Sequence, residues 1–412
     1  MSLLKSTTLN SEINHKESAV ESKKIKNKRN ILKHLYFEDK KSIAELSEAL
    51  FISIPTLTAH LEELLEEKWL IGEEVDTKKQ GRNPTIYSMN PEYKHTLVID
   101  ITTRSTKAVL LNFRNEIVSE KEYELGVTND QSFRTQLLEV IDSTIENYTG
   151  TGREIVAVGL ALPGLINKLT GQNKTYLGLN SENTSLSQVI SAKWGIPVYV
   201  LNDSKATVFG ESLFGVGRDQ NHLLSINVDW GVGLAVVING QIFNGASGFA
   251  GELGHIQVHP DGELCRCGKV GCLDTVASAS ALLRKVKRGL SCGEVSSLAR
   301  FKDNLEQLTL EDVIEAASKG DGFAIDILYN IGIELGKGLS VAVHLFNPRL
   351  IVIDGVLSKA GNLIVNPVEF AINKHCLPDF KENLTIRVTE IGDSAKLLGM
   401  NAFVAKRLFK ND

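Results

Sequence analysis

The sequence predicts an α/β protein in which a winged helix-turn-helix precedes two α/β lobes. A chain of 412 residues is longer than one hydrophobic core usually supports. Apolar residues recur with helical spacing between Ile31 and Leu65. From residue 96 onward, short β-type runs alternate with helical segments, which is the order expected of sheets covered by helices.

The composition is that of a folded chain. Apolar residues make up 42% and charged residues 23%, which excludes a wholly disordered protein. No uncharged apolar run reaches the roughly 18 residues that span a bilayer, and the polar start does not match a secretion signal. We therefore expect a cytoplasmic protein. The net charge of −5 argues against coating nucleic acid through overall charge, but a small module could still read DNA locally.

The N-terminal part is predicted to hold a flexible polar tail over residues 1–24 and a three-helix module with a wing over 25–93. Ser42 is suited to cap the second helix, and Ser53, followed by Pro55, to cap the third. After the third helix, β-type runs on either side of a polar loop predict the two strands of the wing.

The third helix and the wing predict a DNA-reading surface. Small hydroxyls near a helix N-terminus suit close approach to bases and phosphates. Positive charge before the first helix comes from Lys23, Lys24, Lys26, Lys28 and Arg29. A wing cation fits the narrow minor groove. The alternative is that these charges are solvated on a winged helix that binds protein. The predicted DNA contacts are Ser53, Thr56, Thr58, His60, Lys78, Lys79 and Arg82.

The remainder is predicted to form one lobe over 96–204, completed by a C-terminal helix over 390–412, and a second lobe over 205–389. Ligands favour the cleft between such lobes. The first lobe should contain a hairpin, a helix and two further strands, at 96–100, 108–112, 133–148, 155–160 and 198–201. In the second we expect strands at 223–228, 234–238 and 350–353, and helices at 309–317 and 322–346.

A cluster of metal-binding residue types lies in the second lobe. His255, Cys265, Cys267 and Cys272 fall within 18 residues, and three thiolates with one imidazole match the tetrahedral set that structural zinc takes. Four protein ligands leave no position for a catalytic water, so we expect a structural Zn²⁺. The alternative is unligated thiols beside an unrelated histidine.

Several motifs, in this order along residues 96–412, resemble those of the ROK family of repressors and sugar kinases. The N-terminal winged helix resembles the transcriptional branch of that family. The motifs are Leu162-Pro163-Gly164, Asn202-Asp203, Asp229-Trp230-Gly231, Gly251-Glu252-Leu253-Gly254-His255, the run from Cys265 to Cys272, and Asn347-Pro348.

The resemblance implies a two-lobed ribonuclease H-like, actin-like fold, a sugar in the cleft, and a homodimer or homotetramer. It also implies that Asp203 stands at the general-base position of the kinases and that His255 holds the zinc through one nitrogen. Asp274 stands where glutamate is usual, so the identity of the sugar stays open. Asn202 and Asp203 could alternatively cap the next helix. The implied sugar ligands are Asn202, Asp203, Glu252, His255 and Asp274.

The nucleotide loops depart from the family pattern. Kinases hold phosphates with glycine-rich loops because only glycine lets backbone amides approach closely. Here those positions read Asp100-Ile101-Thr102-Thr103-Arg104, Asp229-Trp230-Gly231 and Asp354-Gly355. We therefore predict no catalytic residues and no enzyme activity.

The combined expectation is a sugar-responsive transcriptional regulator, in particular a repressor, that binds operator DNA and a sugar or sugar phosphate. The alternative is a ROK-type ATP-dependent sugar kinase that carries a DNA-binding domain. A third possibility is a regulator whose effector is a phosphotransfer protein.

Overall fold

The computed structural model describes residues 19–75, 84–181 and 184–410 and divides into two compact units. The first unit comprises the chain up to Asp203 together with the segment from Met400, and the second comprises Ser204–Gly399. Among the described residues, no helix is long and apolar enough to cross a membrane.

The predicted winged helix is present in the first unit. Its strands form an antiparallel sheet in the order β1-β3-β2, in which β1 was not predicted. The elements are α1 (Ala19–Glu38), β1 (Lys41–Ser42), α2 (Ile43–Leu50), α3 (Ile54–Glu66), β2 (Leu70–Glu74) and β3 (Thr85–Met89).

Three details of the winged helix bear on the predictions. Ser42 caps α2 in a reciprocal capping box with Glu45, as predicted. Ser53 makes no side-chain cap at α3, because its Oγ lies 2.9 Å from Thr56 Oγ1 instead. Residues 19–24, predicted as tail, are helical, and the helix is held there by an ion pair of 2.7 Å between Lys24 and Glu63.

The first α/β lobe contains a five-stranded sheet in the order β6-β5-β4-β7-β8. The hairpin β4–β5 and the two following strands were predicted, whereas β6 was not, because its side chains are mostly exposed and polar. The elements are β4 (Lys94–Ile101), β5 (Thr106–Asn112), β6 (Ile117–Tyr123), α4 (Gln131–Thr149), β7 (Glu154–Leu162), α5 (Leu186–Trp194) and β8 (Val198–Asn202).

The second unit repeats this topology in a sheet of order β11-β10-β9-β12-β13. In both sheets three antiparallel strands are followed by two parallel ones, which agrees with the fold that the resemblance implied. The strands are β9 (Leu223–Val228), β10 (Val232–Ile238), β11 (Gln241–Ile242), β12 (Leu350–Asp354) and β13 (Thr385–Val388).

Most helices of the second half pack around a large apolar core, to which the first and the last of them do not contribute. The lobe boundary lies between Asp203 and Ser204, one residue before the predicted one, and the C-terminal helix starts at Ser394, with only its part from Met400 in the first unit. The helices are α6 (Asp203–Phe214), α7 (Asp274–Ala277), α8 (Ala279–Ser291), α9 (Leu310–Ser318), α10 (Gly322–Phe346), α11 (Asn362–His375) and α12 (Ser394–Leu408).

An aromatic cluster joins the winged helix to the first lobe. Trp69 from the winged helix, Phe113 from the lobe and Phe409 after α12 pack with ring centroids 5.5–5.7 Å apart. Arg114 adds hydrogen bonds to Met89 O (3.0 Å) and Ser88 Oγ (2.8 Å) on β3. These buried contacts pack the winged helix against the lobe within the first unit, and the domain bounds of 25–93 and 96–204 stay a prediction.

Phe409→Ala should open a cavity in this cluster and lower the free energy of unfolding of the first unit by about 3 kcal/mol. Amide exchange in α1 and β2 should rise, because both elements lose their anchor. Urea unfolding followed by circular dichroism, together with hydrogen exchange, measures these effects. Phe370→Ala is the control, since Phe370 is 55% exposed. Equal losses from both substitutions would contradict the anchoring role of Phe409.

Candidate functional site

The four predicted metal ligands come together in the second unit. The donor atoms of His255, Cys265, Cys267 and Cys272 all lie within 4.8 Å of one another. His255 Nδ1 is 3.8 Å from Cys265 Sγ, and the sulfurs of Cys267 and Cys272 are 3.7 Å apart. All five cysteines of the chain are free thiols. The residues present thus form a cluster that could hold one metal ion.

A tightly turned loop gathers the cluster. The Cys265 amide donates to Lys269 O at 2.7 Å, which closes the loop around the first two thiols. Gly271 has a φ of 72°, and a Cβ there would overlap the His259 carbonyl. Only glycine therefore allows Cys272 to turn back toward His255. Burial, followed by the neighbouring thiols, raises the pKa of Cys272 to about 12.

The second nitrogen of His255 faces a predicted sugar ligand. His255 Nε2 lies 3.9 Å from Glu252 Oε2, and both side chains are partly exposed. Glu252 directly precedes a short 3-10 helix, Leu253–His255, where the backbone packs closely against β10. This arrangement presents a carboxylate and an imidazole side by side, which is a suitable set for binding hydroxyl groups.

Asp274, also predicted to contact the sugar, is buried and holds the backbone. Its Oδ1 accepts a hydrogen bond of 2.6 Å from the Val232 amide, and its Oδ2 lies 3.7 Å from Arg266 Nε. One carboxylate oxygen is thus already used at the start of β10. Arg266, which sequence reasoning did not select, is the residue of the cysteine loop that reaches this carboxylate.

The predicted ligands Asn202 and Asp203 belong to the first unit. Asn202 ends β8 and its Nδ2 donates to Gly164 O at 3.1 Å, while Asp203 begins α6. Asn173 steadies the same loop through a hydrogen bond of 2.8 Å to Pro163 O. Two motifs 38 residues apart are therefore brought together at the end of β7 and β8.

The turn between β4 and β5 holds the first of the three segments that we predicted to have lost a phosphate loop. Thr102 Oγ1 accepts hydrogen bonds from the amides of Arg104 (3.1 Å) and Ser105 (3.0 Å). It also donates to Ser105 O at 3.0 Å. The threonine side chain thus takes up backbone amides of the kind that a phosphate would need.

The other two segments of that prediction each carry a carboxylate. Asp229 Oδ1 accepts from the Trp230 amide at 2.9 Å. Asp354 is buried at the end of β12, where its Oδ1 accepts from the Gly355 amide at 2.6 Å. Asp354 Oδ2 has no hydrogen-bond partner among the residues that the structure describes. Burial, with a further contribution from Glu211, raises the pKa of Asp354 to about 7.

In the winged helix the predicted DNA contacts divide into three groups. Ser53 and Thr56 are exposed at the start of α3, and the half-buried Thr58 donates to Ile54 O at 2.9 Å. His60 is only 8% exposed and lies 3.3 Å from Asn27 Nδ2, so it faces the interior and we withdraw it from the DNA surface. Lys78, Lys79 and Arg82 lie outside the described residues.

Two lysines of α1, which we predicted to add positive charge for DNA binding, pair with glutamates of α3. Lys28 is buried and pairs with Glu63 (2.6 Å) and Glu67 (2.8 Å) on α3, and Lys24 pairs with Glu63. These cations neutralise the acidic end of α3 instead of facing DNA. Sequence reasoning also missed Phe51, whose side chain is exposed at the turn before α3.

Comparisons with known proteins agree with this arrangement. The ROK family model matches residues 96–407, and a model for winged helix-turn-helix DNA-binding domains matches residues 26–71. The N-acetylglucosamine repressor of Escherichia coli O157:H7 is 30% identical over 89% of this chain and 88% of its own. The xylose repressor of Caldicellulosiruptor bescii is 27% identical over 88% of this chain and 91% of its own. A glucokinase of Halalkalibacterium halodurans is 31% identical over 73% of this chain and 92% of its own.

Among solved structures, a ROK family transcriptional regulator that is a homologue of the E. coli MLC protein superposes with a TM-score of 0.79 at 27% identity. It covers 94% of this chain and 98% of its own. A ROK family glucokinase from Streptomyces griseus in complex with glucose and AMPPNP gives a TM-score of 0.67 at 25% identity, over 76% and 99%. The chain therefore belongs to the ROK family, and a winged helix-turn-helix precedes its ROK domain.

Proposed function

We propose that this protein is a sugar-responsive transcriptional repressor. Its winged helix binds operator DNA, and its ROK domain binds a sugar or sugar phosphate that alters DNA binding. One observation supports the proposal: the relatives called repressors align over 88% of the chain or more, so the alignment extends into the winged helix, whereas the glucokinase aligns over 73%. The homodimer or homotetramer stays a prediction, and it would place two winged helices on one operator.

Loss of nucleotide binding is the second part of the proposal. Phosphoryl transfer depends on positioning the phosphates, and backbone amides supply much of that positioning. The side chain of Thr102 occupies two amides of the first loop, and the side chains of Asp229 and Asp354 each occupy one amide at the others. These three features favour a regulator over a sugar kinase.

For the effector we propose that Asn202, Asp203, Glu252 and His255 bind sugar hydroxyls. Carboxylates accept, the carboxamide both donates and accepts, and imidazole does either, so the set can satisfy a polyol. Asp274 contributes by holding the Val232 amide.

The metal is proposed to be zinc. Three sulfur donors and one imidazole form the donor set that structural zinc prefers, and His255, Cys265, Cys267 and Cys272 would hold it. Bound there, zinc would brace the loop, since four protein ligands leave no open coordination position. His255 Nδ1 faces the thiols, so its Nε2 stays on the side of Glu252. Zinc binding would thereby both order the loop and orient the His255 ring toward the proposed sugar site.

The function is tested by selecting duplexes from a random DNA library with the full chain and measuring their binding against xylose, N-acetylglucosamine, glucose and the corresponding phosphates. We expect one sugar to change DNA affinity, and Asp203→Asn to weaken that sugar at least tenfold while DNA affinity without sugar stays unchanged. Asp130→Asn is the control, because Asp130 is exposed and makes no side-chain cap.

ATP turnover with the same sugars tests the kinase alternative. We expect none. Sugar phosphorylation that disappears in Asp203→Asn would contradict the proposal that the protein is a regulator without enzyme activity. A failure to enrich any duplex would contradict DNA binding.

For the metal we expect about one zinc per chain by elemental analysis of freshly purified protein. Cys267→Ser should lower the zinc content and the thermal stability together, because it removes one of four donors. Cys292→Ser is a matched control: Cys292 is also exposed but lies outside the cluster. Equal zinc content in both variants would refute the assignment.

Asp354 should make stability depend on pH. Its folded-state pKa of about 7 lies above the ordinary value of 3.8, so between these pH values the folded protein holds a proton that the unfolded chain releases. The free energy of unfolding therefore falls as pH rises from about 4 to about 7, by about 1.4 kcal/mol per unit of pKa difference at most. Asp354→Asn should flatten this part of the profile and stabilise the protein more at pH 8 than at pH 5. Urea unfolding between pH 5 and pH 8 measures this difference in stability, and Asp379→Asn is the control because Asp379 is exposed. If the stabilities of the wild type and of Asp354→Asn depend on pH in the same way, the raised pKa of Asp354 is contradicted.

A further inference from the structure

The reading surface of the helix-turn-helix has an unusual chemistry. The segment 43–66, which spans α2, the turn and α3, contains no arginine, lysine, asparagine or glutamine. Those four residue types make the bidentate hydrogen bonds that identify guanine and adenine in the major groove. The carboxylates of α3 cannot take over this base recognition at the N-terminus of the helix, because Glu62, Glu63 and Glu66 lie in its later turns. Glu63 is in addition paired with Lys24 and Lys28.

An aromatic side chain occupies the turn itself. Phe51 follows α2 with a φ of 54°, in the left-handed region that bulky residues rarely adopt. Its side chain is nevertheless 95% exposed. Within the chain Phe51 therefore combines backbone strain with loss of apolar burial, and strained residues of this kind cluster at functional sites. A partner that covers the ring would offset both costs.

A second apolar side chain stands beside it in sequence. Ile54, the first residue of α3, is 51% exposed, and Thr56 on the same first turn is exposed as well. The intervening Ser53 hydroxyl is engaged with that of Thr56. The end of the helix that enters the major groove in a helix-turn-helix thus carries a phenyl ring, a branched aliphatic group and a hydroxyl pair.

We infer that this protein reads thymine in its operator, with Phe51 and Ile54 contacting the C5-methyl groups of thymine bases in the major groove. The inference rests on the proposed DNA-binding function and names how that site achieves specificity. Thymine is the base that offers an apolar group in the major groove, and apolar side chains recognise it. The match of residues 26–71 to DNA-binding winged helices makes this surface continuous with the expected DNA interface.

The test replaces thymine by uracil, which removes only the methyl group. A duplex enriched from the random library by the wild-type chain is resynthesised with deoxyuridine at one thymine position at a time, and Kd is measured by fluorescence anisotropy. Burial of one methyl group corresponds to roughly a fourfold change in Kd. We expect the wild type to lose about that factor at two or more positions and to be insensitive elsewhere.

Phe51→Gly and Ile54→Ala identify the side chains. Each should weaken binding to the thymine duplex and abolish the uracil effect at its own positions. Phe51→Gly should also leave the melting temperature equal or higher, because glycine accepts the left-handed backbone, so a folding defect cannot mimic the result. Leu169→Ala is the control, since Leu169 is 84% exposed in the first unit but lies outside the winged helix.

The outcomes separate the inference from the function beneath it. Uracil duplexes that bind as tightly as thymine duplexes, or a Phe51→Gly protein that keeps its affinity, would overturn thymine recognition while DNA binding stands. A change of oligomeric state in Phe51→Gly with unchanged uracil sensitivity would assign the ring to a contact between copies and overturn the inference. If the library yields no enriched duplex, the proposed function fails and the inference fails with it.

Discussion

Three aromatic rings hold together segments that lie at opposite ends of the chain. Trp69 follows α3, Phe113 follows β5, and Phe409 lies one residue before the last described residue, yet their ring centroids are 5.5–5.7 Å apart. Around them Tyr36 donates a hydrogen bond of 2.6 Å to Asn115. Apart from the short turn between β3 and β4, the winged helix is held to the lobe by such buried contacts, so its placement depends on them.

Helix α12 contributes residues to both units. Helix α12 starts among residues of the second unit, where Gly399 packs against the backbone of Ala206, and ends next to Phe409. Asn401, in the same helix, donates to Asn112 O (3.1 Å) and Asn115 Oδ1 (2.9 Å). One continuous helix therefore bears on both the ROK core and the base of the DNA-binding module.

The sequence predicted elements that have strong apolar periodicity, and it missed contacts between distant segments. Helix α10 and strand β9 were predicted with their observed bounds, and the four metal ligands were found from residue type and spacing. Strand β6 is exposed and polar, so it carries no burial pattern, and the packing of Trp69 on Phe409 joins positions 340 residues apart. The predicted DNA contact of His60 conflicts with the burial of its side chain. The residue lies three residues after the buried Leu57, on the same helix face, so its burial could have been predicted.

The side chain of Thr102 closes the turn between β4 and β5, and this has a consequence if nucleotide binding is lost as proposed. Its hydroxyl sits where it satisfies the amides of Arg104 and Ser105, so the turn is complete without any bound nucleotide. Under the proposed loss of nucleotide binding, the protein would not sense the adenylate pool of the cell. The proposed repressor would report the supply of its sugar alone, at any energy charge, whereas a kinase on the same scaffold couples sugar to ATP.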